Sequence, residues 1–348
     1  LPNISKINAV DIGNIAKVDG ATSSNIAKVD GLDFVTFTGL LDTYTGAAAA
    51  YSVRQLKSGV TVAMRVRRDT AGGTGDDDEA DVAFDTSLAT PTISLDSAIS
   101  NASAGVTATT LGQFINVGTV GGTTYTNPDS LSGTASCFVN EWKDQSGNAD
   151  HVVQATFGSQ PQIHSGTVNT PLITENGKPA VYFADYNYQL ADTSGTWGGT
   201  NVLTCDFVNV HTLVSGSGLG GGALSEKHFL FWYDGAFQVA QIYNGTYYLG
   251  WSRTTTGPSA DTNQHLWYGI ASNGTGQIRV DGTASTAGTL NTTRYFSGEF
   301  AFNGRPGAPT TERGVEQYQQ EFIQWDVNQS ASNRTAIESN INGFFGIY

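Results

Sequence analysis

Charge is scarce in this sequence: only 14% of its 348 residues are Asp, Glu, Lys or Arg, and 31 acidic residues outnumber 17 basic ones. The formal net charge of -14 would repel nucleic-acid backbones and anionic membrane surfaces, so polyanion binding is excluded first. Cysteine is scarcer still. Cys137 and Cys205 cannot build a disulfide framework, and the plain expectation is two buried free thiols. No apolar run approaches the roughly 18 residues of a membrane-spanning helix, and Leu1-Pro2-Asn3 does not begin a basic and then apolar secretory signal. Membrane insertion is therefore not expected. The chain opens on Leu1 rather than methionine, which leaves processing, trimming and a numbering offset all open.

What is abundant is Gly, Ser, Thr and Asn, with 42 glycines among them. This mixture favours many short strands joined by tight turns over long helices, an all-β composition. All-β sandwiches run past roughly 200 residues as one unit. One large domain over residues 34–348 with an appendage over 1–33 therefore fits better than two average domains.

The appendage repeats itself. Ile4-Ser5-Lys6-Ile7-Asn8-Ala9, Ile15-Ala16-Lys17-Val18-Asp19-Gly20 and Ile26-Ala27-Lys28-Val29-Asp30-Gly31 follow one another at eleven-residue intervals. Each unit carries two branched apolar residues three apart and a turn dipeptide, too little apolar surface to bury alone. Ile4, Ile7, Ile15, Val18, Ile26 and Val29 are therefore expected to anchor the chain, either on its own domain or on another subunit or assembly.

Alanine carries the best helix propensity, so Ala47–Leu56, bracketed by Gly46 and Gly59, is expected to form a short helix. Val60, Val62, Met64 and Val66 then alternate with polar or smaller residues at the period of two that marks a strand. The run Asp76-Asp77-Asp78-Glu79 reads as a solvated loop, with a calcium ion as the alternative because its carboxylates supply oxygen ligands. Calcium aside, no cofactor and no metal are expected. Residues Thr86–Ser136 read as long loops with a short helix near Leu111.

From Ala180 onward short aromatic runs recur, among them Phe229-Leu230-Phe231-Trp232-Tyr233 and Leu266-Trp267-Tyr268-Gly269-Ile270, many of them separated by glycine-containing turns. Asp281-Gly282 ends an alternating strand and predicts a type I′ hairpin, as do Asn244-Gly245 and Asn273-Gly274. Phe322-Ile323-Gln324-Trp325 reads as a last strand. Ser330 would cap a closing helix through Ile337 and Ile341 that ends at Gly343.

The strand and helix spanning Glu321–Trp325 and Ser330–Ile347, preceded by His265–Ile270 and the hairpin at Ile278–Thr283, resemble the closing part of concanavalin A-like, laminin G-like jelly rolls. That resemblance implies an all-β jelly-roll sandwich with a few short helices and the N-terminal repeats as an extra. Ala50–Leu56, Arg65–Arg68, Asp81–Phe84, Trp142–Asn148 and Gln160–Ile163 are similar to the catalytic-domain scaffold of fungal α-L-arabinofuranosidases and to phage proteins that share it. Asp144-Gln145-Ser146-Gly147-Asn148 is the most specific of these strings and reads as a loop stitched by side-chain to backbone hydrogen bonds. In the arabinofuranosidases the nucleophile is a glutamate from the strand region that here contains Phe231–Gly235. No glutamate stands there, Glu226, Asp234 and Asp206 sit in no recognisable catalytic string, and the family's cysteine-rich framework is absent. The N-terminal repeats resemble leader segments of virion structural proteins from tailed phages of cyanobacterial and marine hosts.

These resemblances imply a non-enzymatic virion component, a decoration, fibre or tail-associated protein on the particle surface. Its repeats would dock to other virion proteins, and its jelly roll would face outward as a homo-oligomer. Host-surface glycans are the expected ligands, because Trp232, Tyr233, Asp234, Tyr243, Asn244, Tyr247 and Trp251 combine flat rings with amide and carboxylate groups. A glycoside hydrolase of arabinofuranosidase type is the alternative, and a host-glycan lectin a third reading. His151, His164, His211, His228 and His265 lie in no metal-ligand spacing and are expected to be packed or surface histidines.

Overall fold

The structure is a computed structural model. It describes residues 37–184, 188, 190–197, 204–214, 262–272, 275–284, 287–289, 298–303 and 316–348, together with short strands between 6 and 33 and between 219 and 248. Side chains within 6–33, 192–197, 219–248 and 288–300, and that of Leu213, lie outside the description.

The fold is predominantly β, antiparallel and sandwich-like. Its main strands are β1 (Ala47–Ser52), β2 (Val62–Asp69), β3 (Glu79–Ala83), β4 (Ser136–Trp142), β5 (Gln162–Ser165), β6 (Val181–Phe183), β7 (Thr204–Leu213), β8 (Gln264–Ser272), β9 (Thr275–Val280) and β10 (Gln317–Trp325). They pair in the order β3-β2-β4-β5-β6-β10-β7-β8-β9, with β1 added to the far half of β10. Helices are few: α1 (Leu40–Thr43), α2 (Leu111–Ile115), which confirms the short helix near Leu111, and α3 (Ala331–Phe345).

The tetra-alanine is a strand and not the expected helix. Ala47, Ala49 and Ala50 pair with Trp325, Gln324 and Ile323 of β10, and Ala49 and Ala50 are fully buried. Helix propensity distinguishes ordinary residues by no more than about 0.7 kcal/mol each, less than the ladder and burial contribute here. Small side chains also leave room for the Asp144–Asn148 loop, which lies over this strand and, as expected, is stitched by side-chain to backbone hydrogen bonds. Asp144 Oδ1 accepts from the Ala50 amide at 2.8 Å, and Gln145 Oε1 accepts from the Leu56 amide at 2.7 Å. Gln145 Nε2 donates to the carbonyls of Ser52 and Arg54, and Asn148 Nδ2 donates to those of Ala47 and Ala48.

The acidic run lies in a partly exposed turn, as expected, but its carboxylates are committed to partners. Asp77 meets Arg67 at 2.6 Å, Asp78 meets Arg68 at 2.6 Å, and Glu79 meets Arg65 at 2.9 Å. Asp76 accepts from the amides of Thr70 and Gly72. The carboxylates diverge onto separate partners, whereas calcium needs them to converge. Among the described residues no group of three or more His, Cys, Asp or Glu could hold a metal ion. Arg67 and Arg68 are buried because β2 is covered on both faces: the Arg67 guanidinium lies over Phe138 and Phe157, that of Arg68 over Phe114.

One face of β7, β8 and β10 packs against α3 through Val208, Val210, Leu266, Tyr268 and Ile323 opposite Ile337 and Ile341, all fully buried. Two ion pairs bind this layer: Arg334 Nε to Asp206 Oδ2 and Arg279 Nε to Glu338 Oε1, both at 2.8 Å. Ser330 caps α3 as expected, its Oγ accepting from the Asn333 amide. The helix, however, passes Gly343 and ends at Gly346, whose φ of +67° is the left-handed conformation that closes a helix without a Cβ penalty. On the opposite face Tyr51, Trp142, Phe302, Phe207 and Phe322 form an aromatic core, with Trp142 and Phe302 at 5.3 Å and Tyr51 and Phe302 at 5.4 Å. Gly269 is required there, because a Cβ would stand 1.9 Å from the Phe207 ring.

Asp281 and Gly282 have φ of +50° and +76°, the type I′ turn that their sequence predicts. For the other two hairpins the flanking residues pair, Tyr243 with Thr246 and Ser272 with Thr275, while the turn dipeptides lie outside the described residues. Cys137 and Cys205 are free and buried, and burial pushes both thiols well above their ordinary range.

Asp326, at the exit of β10, gives a pH prediction. Burial, partly offset by Gln324 Nε2 donating at 3.1 Å, raises its carboxyl from 3.8 to about 6. Between those values the folded protein holds a proton that the unfolded chain has released, so stability is present at low pH and lost as pH rises through about 6. Asp326→Asn is expected to stabilise at pH 7 by up to about 1 kcal/mol after allowance for solvent screening, and to be neutral at pH 4. Urea unfolding at the two pH values checks this; an equal gain at both would refute it.

Candidate functional site

Of the residues singled out from the sequence, Trp232 and Tyr233 end the strand His228–Tyr233, Tyr243 ends Phe237–Tyr243, and Tyr247 lies in Thr246–Tyr248. These strands form one antiparallel sheet with Leu219–Gly220. Its register places Trp232 opposite Gln238 and Tyr247 opposite Ile242, on one face, and Tyr233 opposite Phe237 and Tyr243 opposite Thr246, on the other. Asp234, Asn244 and Trp251 lie outside the described residues, as do Glu226, Ile4, Ile15 and Ile26. Ile7, Val18 and Val29 each occupy the first strand of a two-residue hairpin, paired with Val10, Ala21 and Leu32.

The remaining acidic candidate, Asp206, is a structural group. Fully buried on the α3 side, it accepts from Tyr268 Oη at 2.8 Å, from Asn328 Nδ2 at 2.8 Å and from Arg334. Glu321 is equally committed, held by both Nε and Nη2 of Arg54 at 2.7 and 3.0 Å.

A group of polar side chains that sequence reasoning missed lies on the face opposite α3. Alternation along β7 sends Phe207, Asn209 and His211 to that face, so the aromatic core gives way at one end to Asn209, His211, Gln317 and Gln319. Gln319 Nε2 donates to Asn209 Oδ1 and to the Glu321 carbonyl, and the Asn209 amide lies 3.0 Å from His211 Nδ1. The His211 ring stacks on Trp267 with centroids 5.9 Å apart, and His265 meets the same indole edge-on at 6.1 Å. Burial, helped by neighbouring His265, lowers His211 to about 3, so its imidazole is neutral at physiological pH. His265 pairs with Asp281 at 2.7 Å.

Gln317 is fully buried, and among the described residues neither its amide nitrogen nor its oxygen has a hydrogen-bond partner, nor does Gln319 Oε1. A buried unpaired polar group costs about 1–3 kcal/mol, which makes these amides stand out as chemically unfulfilled. The group is uncharged, made of neutral amides, a neutral imidazole and an indole, and each of its members is at most 3% exposed. One signal was available in the sequence: Gln317, Gln319, Gln320 and Gln324 crowd a strand whose other residues, Glu321 apart, are apolar or aromatic.

No protein-family model matches the chain, and no curated protein matches it in sequence. Solved structures match it in fold. An arabinofuranosidase complexed with arabinofuranosyl-α-1,2-xylobiose is 14% identical with a TM-score of 0.56, covering 87% of this chain and 64% of that one. A GH54 α-L-arabinofuranosidase soaked with a cyclic sulfate inhibitor, and a glutamate-to-glutamine mutant of a GH54 α-L-arabinofuranosidase soaked with 4-nitrophenyl α-L-arabinofuranoside, each reach 0.57 at 14% identity, with 87% and 63% coverage. The chain spans a little under two thirds of the length of these enzymes, and the likeness is one of fold.

This finding overturns the virion reading. The scaffold is shared with glycoside hydrolases, and none of these similar structures is a virion protein. The expectation of a non-enzymatic particle component, and with it the decoration, fibre and tail descriptions, is corrected accordingly. The physical reason is that eleven-residue repeats and a Gly- and Thr-rich surface are compositional features, whereas a fold traced over 87% of the chain is not. Among the described residues no helix is long and apolar enough to cross a membrane.

Proposed function

We propose that the chain is a glycoside hydrolase of arabinofuranosidase type, built on a concanavalin A-like jelly roll and acting on α-L-arabinofuranosyl groups. The observation that carries this reading is the shared scaffold, which extends over 87% of the chain.

Retaining glycoside hydrolysis needs two carboxyl groups about 5–5.5 Å apart, one as nucleophile and one as acid and then base. Asp206 and Glu321 are unsuited to either role, since arginines hold both as buried ion pairs. The carboxylates left for the chemistry from the sequence candidates are Glu226 and Asp234.

Release of 4-nitrophenol from its α-L-arabinofuranoside tests the proposal, alongside a panel of other aryl glycosides. The intact chain is expected to turn over the arabinofuranoside, and Glu226→Gln or Asp234→Asn to lower kcat by at least about a hundredfold. Absence of turnover across the panel, or turnover indifferent to every carboxylate replacement, would refute it; arabinofuranoside binding without turnover would indicate a lectin instead.

A further inference from the structure

A group of sugar-compatible side chains lies on the other surface of the same sheet, outside the group described above. Gln162 of β5, Tyr182 of β6, Tyr318 of β10, Thr212 of β7 and Gln264 of β8 are direct cross-strand neighbours, each the register partner of the next. Only the first three members of this row, Gln162, Tyr182 and Tyr318, are partly exposed and span about 10 Å at the usual strand spacing; Thr212 and Gln264 are buried, and the Gln264 amide is bonded to Asn176 and Gln320. The two tyrosine rings lie side by side, centroids 5.0 Å apart and 31° between their planes, and both are half-buried, as is Gln162.

Two carboxylates flank the rings. Tyr182 Oη donates to Glu316 Oε1 at 2.6 Å, and Glu175 stands close enough to Tyr318 to help keep its phenol protonated. Burial raises the Glu175 carboxyl, an effect that nearby Thr212 partly offsets. Thr212 is 3% exposed, with its side chain near the Glu175 carboxylate. At the end of the row Asn176 joins Gln264 to the carbonyls of Phe345 and Gly346, so this end is fixed to the C-terminal turn of α3.

We propose that this row is a binding track for a linear, uncharged oligosaccharide chain, separate from the group around Gln317. The two rings give apolar contact to sugar faces, while the phenols, the Gln162 amide and the Glu316 carboxylate beside them bond hydroxyls. A cross-strand row is straight, which suits an extended polymer better than a single sugar. The carboxylates and the net charge of -14 disfavour an anionic chain.

The proposal is independent of turnover and is tested by binding. Native gels containing soluble arabinoxylan or linear arabinan serve as probes, with Tyr318→Ala, Glu316→Gln and Gln162→Ala compared against the unaltered chain. The unaltered chain is expected to be retarded by at least one polysaccharide, and Tyr318→Ala to weaken that binding about three- to tenfold. Smaller losses are expected for Glu316→Gln and Gln162→Ala, which remove little packed volume and decide the matter should Tyr318→Ala fail to fold. Migration unaffected by both polysaccharides would overturn the track. Retardation unchanged in the folded variants would also overturn it, by assigning the binding to another surface. Either result leaves the glycosidase reading standing, just as absence of turnover leaves the track standing.

Discussion

Glu321→Gln is expected to destabilise the protein by about 3–5 kcal/mol, the loss that follows when one partner is removed from a buried ion pair. Glu321 is fully buried and Arg54 is 4% exposed, so the guanidinium left behind would be a buried charge with no water to replace its counter-ion. Its surroundings allow little rearrangement: Arg54 Nη1 already donates to Asn340 Oδ1 at 2.8 Å, and the guanidinium lies 5.1 Å from the centre of the Phe344 ring. Ser52 Oγ donates to the same carboxylate at 2.8 Å, so the strand that received the tetra-alanine is tied to β10 through this group as well. Replacing both partners together, Arg54→Met with Glu321→Leu, is expected to recover most of the loss, because two buried charges then vanish along with their desolvation. Denaturant unfolding of the single and double variants beside the unaltered chain measures this; a single-variant loss under about 1 kcal/mol would show that the pair contributes as little as a surface pair does.

The second large effect is expected at Asp144. Its two oxygens accept from the amides of Ala50 and Ser146 at 2.8 and 2.9 Å, from Ser146 Oγ at 2.6 Å and from the Asp150 amide at 3.3 Å. Asp144→Ala strands the Ala50 amide in a fully buried position and frees the loop that carries Gln145. A loss of about 2–4 kcal/mol follows from one buried orphan donor plus the charge-assisted bonds to the loop. The Ala50 and Leu56 amides, protected by Asp144 and Gln145, should exchange with solvent faster in this variant while amides in α3 do not. Uniform acceleration across the chain would mean that the loop stabilises the whole domain and does not specifically pin β1.

Much of the local structure was legible in the residues. The alternation over Val60–Arg67 became β2, Asp281-Gly282 adopted the predicted turn, and Ser330 capped the last helix. In each case the determining energy lies within a few residues: a side-chain cap, a φ that glycine tolerates, or a period of two. The loop at Asp144–Asn148 was also legible, since its polar side chains compete with the backbone for the same hydrogen bonds wherever they fall.

The candidate site was much less legible. Aromatic density drew attention to Trp232–Trp251, yet the unfulfilled amides of Gln317 and Gln319 and the row through Tyr182 and Tyr318 emerge only when strands far apart in sequence are aligned. Glutamine in a strand signals nothing until its neighbours across the ladder are known. The resemblance of the N-terminal repeats likewise suggested a particle protein, where the scaffold is similar to that of glycoside hydrolases.

By itself the sequence determined the all-β class, the acidic surface, the hairpin turns and the closing strand and helix, because each depends on preferences settled within a few residues. Only the tertiary structure decided that the tetra-alanine is a strand, that the acidic run neutralises buried arginines, and that Arg54 meets Glu321 from 267 residues away. The physical reason is one of scale. Intrinsic propensities differ by less than about 1 kcal/mol per residue, while the burial of side chains and charges is worth several and depends on partners that only the folded chain brings together.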